Sequence, residues 1–210
     1  AIPYDLYKQG NEDKAIELLK DVSFNMVNDP KANDPFWGNA SMGYFNGLAL
    51  GLFQDAEEKY ININSINYMA AVGEESFAPS NYATAYFDLK GKDSTAYNFA
   101  KSTITGPTET RTSVLSVFSE KMEKFTTQKN LSEMLSYSDF DMRDIAKGKT
   151  AVFMIIHDEK KTYHSLMTIF IKQCYETLID EAQKNDEKLQ IRTNFILDEF
   201  SNMPQLPDAD

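Results

Sequence analysis

Residues 35–53 (Pro-Phe-Trp-Gly-Asn-Ala-Ser-Met-Gly-Tyr-Phe-Asn-Gly-Leu-Ala-Leu-Gly-Leu-Phe) constrain the fold more than any other stretch. Pro35 suits a first helical position, where its missing N–H costs nothing, and Asp34 can cap the helix that it opens. The helix expected over 36–53 carries aromatic and small residues on more than one face (Trp37, Ala40, Tyr44, Leu48). A helix that is apolar nearly all round must be covered on every side, so it belongs at the centre of a helical bundle. It does not read as a membrane span. The run 40–53 is broken by Gly43, Asn46, Gly47 and Gly51, and no apolar stretch reaches the roughly 18 residues that a bilayer demands.

Neighbours for that helix can be read on both sides of it. Residues 12–26 place Ile16, Leu19 and Val22 at helical spacing behind Asn11 as N-cap, and Asn28-Asp29-Pro30 ends the run. Further helices are expected over 61–72, 81–89, 94–103 and 108–125. The last is amphipathic, with Val114, Leu115, Phe118, Met122 and Phe125 inside, and a short turn of helix follows at 131–135. Nothing between 36 and about 140 reads as a strand. Trp37 and its neighbouring aromatics are read as bundle core rather than as a base-stacking platform.

After Gly148 the pattern changes. Residues 150–156 (Thr-Ala-Val-Phe-Met-Ile-Ile) are a continuous apolar run between polar flanks, the signature of a buried parallel strand. A helix is expected over 163–182, with Leu166, Ile169, Phe170, Gln173 and Cys174 on one side, and a second buried strand over 193–197. Strand, helix, strand with short links is a βαβ crossover. The fold class expected is mainly α, a helical bundle followed by a βαβ piece.

Composition narrows the function. The 210 residues carry 21 Lys and Arg against 32 Asp and Glu, a net charge of −11 with a pI near 4.7. That balance repels nucleic acid at long range and excludes a basic DNA-coating protein. The single cysteine, Cys174, can form no internal disulfide and build no cysteine-based zinc site. It reads as a buried small hydrophobe in a reducing compartment. His157 and His164 lack a third ligand at suitable spacing and read as surface or packing histidines. Glu57-Glu58 and Glu74-Glu75 are read as solvated helix ends, an acidic docking face for a basic partner being the alternative. A chain that starts at Ala1 and stops on Pro207-Asp208-Ala209-Asp210, without a secretory signal, reads as a piece cut from a longer protein.

The sharpest chemical feature is Asn194-Phe195-Ile196-Leu197-Asp198-Glu199-Phe200. An apolar strand that delivers two adjacent carboxylates at its C-terminal end has the form of a Walker B segment. Sites in parallel α/β sheets lie at strand carboxyl ends, where an Asp can hold a nucleotide's Mg²⁺ and a following Glu can orient the attacking water. No G-x-x-x-x-G-K-[ST] accompanies it. Gly148-Lys149-Thr150 is a decoy, because Arg143 stands where the first Gly belongs and the triplet enters a strand rather than a helix.

Residues 197–208 (Leu-Asp-Glu-Phe-Ser-Asn-Met-Pro-Gln-Leu-Pro-Asp) resemble the Walker B stretch of type IV secretion coupling proteins, the TraG/TraD-like ATPases of conjugative DNA transfer. Four further blocks agree in order. Ile2-Pro3-Tyr4-Asp5 is similar to an Asn-Pro-Phe segment of that family, with Ile2 in place of Asn. Asp34-Pro35-Phe36-Trp37 resembles the entry to its all-alpha domain. Residues 110–116 resemble its long helix, and residues 148–156 with Asp158 resemble the strand leading back into the motor.

The resemblance implies a lead-in segment from the motor at 1–34, an all-alpha domain at 35–146 and a partial RecA-like nucleotide-binding domain at 147–210. It implies a parent that is a hexameric, membrane-anchored bacterial ATPase whose cytoplasmic part contains this chain. Its partners would be relaxase or relaxosome proteins, single-stranded DNA and the components of the type IV secretion channel, with the all-alpha domain recognising the transfer substrate. Mg-ATP would bind the full-length protein, Asp198 holding Mg²⁺ and Glu199 activating water. This chain, without a phosphate loop, is expected to hydrolyse no ATP alone and to touch no membrane. Two rival readings are a helical protein-binding module with a structural α/β tail and no motor role, and an FtsK-like or HerA-like translocase. The latter families lack a large helical insertion ahead of Walker B.

Overall fold

The computed structural model describes residues 2–28, 32, 34–155 and 161–198, which form two units, Pro3–Tyr137 and Ser138 onward. In the first, α3 (Pro35–Asp55) is the helix around which the others assemble. The Asp34 carboxylate accepts a 2.9 Å hydrogen bond from the Phe36 amide, as the sequence predicts. Tyr44, Phe45, Leu48, Ala49 and Leu50 are all but fully buried. α3 packs on α2 (Glu12–Val27), α4 (Ile63–Gly73), α6 (Thr95–Ile104) and α7 (Thr108–Thr126), so covered faces surround it.

The glycines that disqualify this helix as a membrane span make the packing possible. Gly43, Gly47 and Gly51 lie one turn apart on one side of α3. A Cβ on Gly43 would meet the Phe99 carbonyl oxygen at 2.8 Å, and one on Gly51 would meet the Tyr86 hydroxyl at 2.6 Å. On the α7 side, Ser41 Oγ donates to the Val114 carbonyl at 3.1 Å, and Tyr44 meets Phe118 edge to face at 5.6 Å. Phe118, Met122 and Phe125 continue the core along α7.

α5 (Tyr82–Lys90) and α6 begin with side-chain caps, Asn81 accepting from the Thr84 amide and Ser94 from the Tyr97 amide. α8 (Lys129–Met134) is tied to α4 by a reciprocal pair, Asn64 Nδ2 to the Ser132 carbonyl at 2.8 Å and Ser132 Oγ to Asn64 Oδ1 at 2.9 Å. Several local details differ from the sequence reading. A first helix, α1 (Ile2–Lys8), sets Tyr4 and Tyr7 against Phe53 at the far end of α3. Asn11 occupies the N-cap position of α2 without a side-chain cap bond. A two-stranded antiparallel ladder, β1 (Ser76–Phe77) with β2 (Ser80–Asn81), interrupts a stretch expected to hold no strand. Its strands are two residues long, too short for any periodicity to signal. Trp37 is half-buried beside an exposed Phe36 instead of lying in the core, because it falls in the first turn of α3, ahead of the buried residues. α2 belongs to the same compact unit as α3, and the division between the two units falls at 137/138.

The second unit is organised by α10 (Lys161–Gln183), the helix expected over 163–182, with a single turn, α9 (Asp144–Lys147), beside it. Ile145 and Ala146 pack on Cys174 and Leu178, with Met142, Phe170 and Leu189 around them. Cys174 is buried, as expected, and burial pushes its thiol pKa up. The two expected strands are not formed among the described residues. Residues 150–155 and 192–197 run without regular secondary structure, and residue 156 lies outside the described residues. A strand exists only with a hydrogen-bonded neighbour, and these segments pair with none among the described residues. An apolar run signals a need for cover and cannot say whether the cover is present. Ile155 and Ile196 are 93% and 92% exposed, which shows that it is not supplied by the described residues.

Candidate functional site

α10 supplies the floor of the site. His164, Met167, Ile171 and Cys174 recur at intervals of three and four residues, so their side chains share one face of the helix. Residues 148–155 and 191–198 line, together with that face, an open concavity of about 1040 Å³. Phe195 is fixed from the helix side by an edge-on contact with Tyr175, ring centroids 6.2 Å apart. The walls are largely aliphatic and aromatic (Val152, Phe153, Met154, Ile196), and polar groups come from Lys149, Arg192, Asn194 and Asp198.

Asp198 lines this concavity, is exposed, and stands where the second segment turns. Its carboxylate is a hard oxygen donor of the type that Mg²⁺ selects. Glu199, its expected partner, lies outside the described residues, as does His157. His164 is buried, and Thr168 Oγ1 donates to its backbone carbonyl at 3.0 Å. Among the described residues no group of three or more His, Cys, Asp and Glu side chains is arranged to hold a metal ion. Gly148 follows α9 in an extended conformation, and Lys149-Thr150 leads into a segment without helix, so the triplet builds no phosphate cradle of backbone N–H groups. The sequence reading singled out Cys174 and Phe170 on α10 but missed Ile171 and Met167. The 164–167–171–174 spacing carries that signal.

The match to known families bears on the whole chain. A family model described as type IV secretory system conjugative DNA transfer matches residues 3–210. The chain belongs to this family. Its role therefore lies in conjugative DNA transfer through a type IV secretion system, a membrane-associated apparatus. No helix among the described residues is long and apolar enough to cross a membrane. No curated protein and no solved structure matches the chain significantly. The family membership agrees with the resemblance carried by residues 197–208, and both units fall inside the matched range.

Proposed function

We propose that this chain is the part of a conjugative coupling protein that joins a substrate-recognising helical unit to the Walker B end of a RecA-like motor. In the full-length hexameric ATPase it would receive relaxase-bound single-stranded DNA and couple ATP hydrolysis to its passage into the type IV secretion channel. The observation that carries this reading is the family match across both units together with the position of Asp198 on a large concavity over α10.

The donor chemistry fits one part of a Mg-ATP site. Asp198 offers an accessible carboxylate that would hold Mg²⁺, often through water, and Glu199 follows it as the residue that would orient the attacking water. With Mg-ATP bound, charge on the transferring phosphate would be neutralised. No phosphate cradle occurs among the described residues, so the phosphate-binding Lys would come from a part of the parent outside this chain. The chain alone should then show no ATPase activity and bind Mg-ATP no tighter than millimolar.

The test is Glu199→Gln in the full-length ATPase. Turnover should vanish while nucleotide binding survives, because the change removes water activation and keeps the Mg²⁺ and phosphate contacts. Unchanged turnover would defeat the assignment.

A further inference from the structure

The helical unit carries a second concavity, remote in sequence from Asp198. It is a groove of about 500 Å³ between α3, α4 and α5, floored by Leu48, Leu52, Met69 and Val72. Its volume is within the range of pockets that hold ligands. Tyr60, Tyr68 and Tyr82 also line it and are 50%, 71% and 45% exposed, and Phe77 stacks on Tyr82 at 5.0 Å. Tyrosines that line a groove yet remain open to water offer large, rigid contact area at little entropic cost and are typical anchors of protein interfaces.

The surroundings of the groove are acidic. The 3-10 turn Glu58–Tyr60 contributes Tyr60 and carries Glu58, with Glu57 at its N-cap. The chain between α4 and α5 carries Glu74 and Glu75, and the Tyr82 amide donates to the Glu75 carbonyl at 3.2 Å. Asp55 accepts from the hydroxyl of Tyr86, another lining residue, at 2.7 Å. Three cations face these five carboxylates. Lys59 pairs with Glu57, Lys90 with Asp55 and Arg111 with Glu74, which leaves Glu58 and Glu75 in no ion pair among the described residues. Two lining tyrosines already present a ring face to an ammonium group, Tyr60 to Lys59 at 4.8 Å and Tyr86 to Lys90 at 5.5 Å. Such faces favour cations and disfavour phosphates.

We infer that this groove is a docking site for a Lys- or Arg-rich protein segment that places aliphatic or aromatic side chains against Leu52, Met69 and Val72. The inference rests on the substrate-recognition reading above for its biological occupant, the protein component of the transfer substrate. Its chemistry rests on the groove alone. Charge complementarity selects the basic segment and the apolar floor fixes its register. A nucleic acid is disfavoured because its phosphates would approach Glu57, Glu58 and Glu75.

Fluorescence anisotropy on the 210-residue chain tests it, with a labelled peptide Arg-Arg-Lys-Arg-Leu-Phe-Arg-Lys-Arg-Arg as probe. The expected result is saturable binding that weakens at least tenfold in each of three arms. These are a probe with Ser-Ser in place of Leu-Phe, a Tyr68→Ala chain, and a Glu57→Lys/Glu58→Lys chain. The chain substitutions fall on exposed residues, and circular dichroism checks that each chain variant is folded. Equal affinity for the Ser-Ser probe would overturn the apolar anchor. Unchanged affinity in both chain variants would overturn the groove. Tighter binding of a single-stranded oligo-dT probe that competes with the peptide would make it a nucleic-acid site and overturn the proposal. None of these outcomes touches nucleotide turnover in Glu199→Gln, so the two readings fail separately.

Discussion

A Cβ on Gly47 would stand 2.8 Å from the Cβ of Ala100, so α3 and α6 meet with almost no side chain between them. The same imaginary atom lies 2.9 Å from the Ala96 carbonyl oxygen, which is backbone and cannot swing away. Gly47→Ala should therefore lower stability by about 1–3 kcal/mol, the range of overpacking, despite Ala's better helix propensity. Gly38, two and a half turns earlier on the same helix, meets nothing closer than Asn28 Oδ1 at 3.8 Å. Gly38→Ala should raise stability by about 0.5–1 kcal/mol. Urea midpoints of the two variants check the opposite signs.

Acid should act on the ends of α3 and α5. Burial pushes the Asp55 carboxyl pKa up, but hydrogen bonds from Lys90 and Tyr86, with the Lys90 charge, outweigh it and hold the group below the ordinary carboxylate range. A depressed folded pKa means stability that is present above the unfolded value and lost as pH falls through the folded one. The Lys90–Asp55 contact, 2.6 Å with Asp55 half-exposed, should contribute under about 1 kcal/mol. Thermal melts of Asp55→Asn should match this loss near neutrality and converge with the unmodified chain once acid has protonated the folded-state carboxyl.

The Asn64–Ser132 pair should hold α8 in place. Asn64→Ala removes both hydrogen bonds and leaves Ser132 to water, at a cost of about 1 kcal/mol. Amide exchange should accelerate across Lys129–Met134 and stay slow in the middle of α3. Equal acceleration in both would mean that α8 is integral to the bundle rather than fastened on by this pair.

Single-stranded DNA should bind the isolated chain weakly. A net charge of −11 offers few cations for counterion release, so affinity for an oligo-dT probe at about 150 mM salt should be weaker than about 1 μM. Filter binding or anisotropy measures it, and a nanomolar value would contradict the charge argument.

What the sequence made legible was local or periodic. Asp34 announces a helix start because a cap is a contact between near neighbours, and the long helices declare themselves by spacing. Trp37 failed as a core residue because position within the first turn, not residue type, sets its burial. The expected strands in the apolar runs at 150–156 and 193–197 are not formed among the described residues, since pairing is non-local and a run contains no information about its partner. Asp198 was singled out by its motif alone, and it lines the concavity over α10. The groove between α3, α4 and α5 was not singled out, since its tyrosines come from three separated segments, though Glu57-Glu58 and Glu74-Glu75 hinted at its acidic surroundings.

The central position of α3 bears on how the helical unit can be divided. Every face of this helix is walled by a different neighbour, drawn from both earlier and later chain (α2 on one side, α4, α6 and α7 on the others). A polypeptide cut within the α6–α7 loop at Gly106 would leave the N-terminal piece with Tyr44 lacking Phe118, and the C-terminal piece with no core to join. Neither half could be minimised into a free-standing module. A useful truncation must keep everything from α2 through α7 or discard it all, so the unit is inherited, transplanted or lost as a single block.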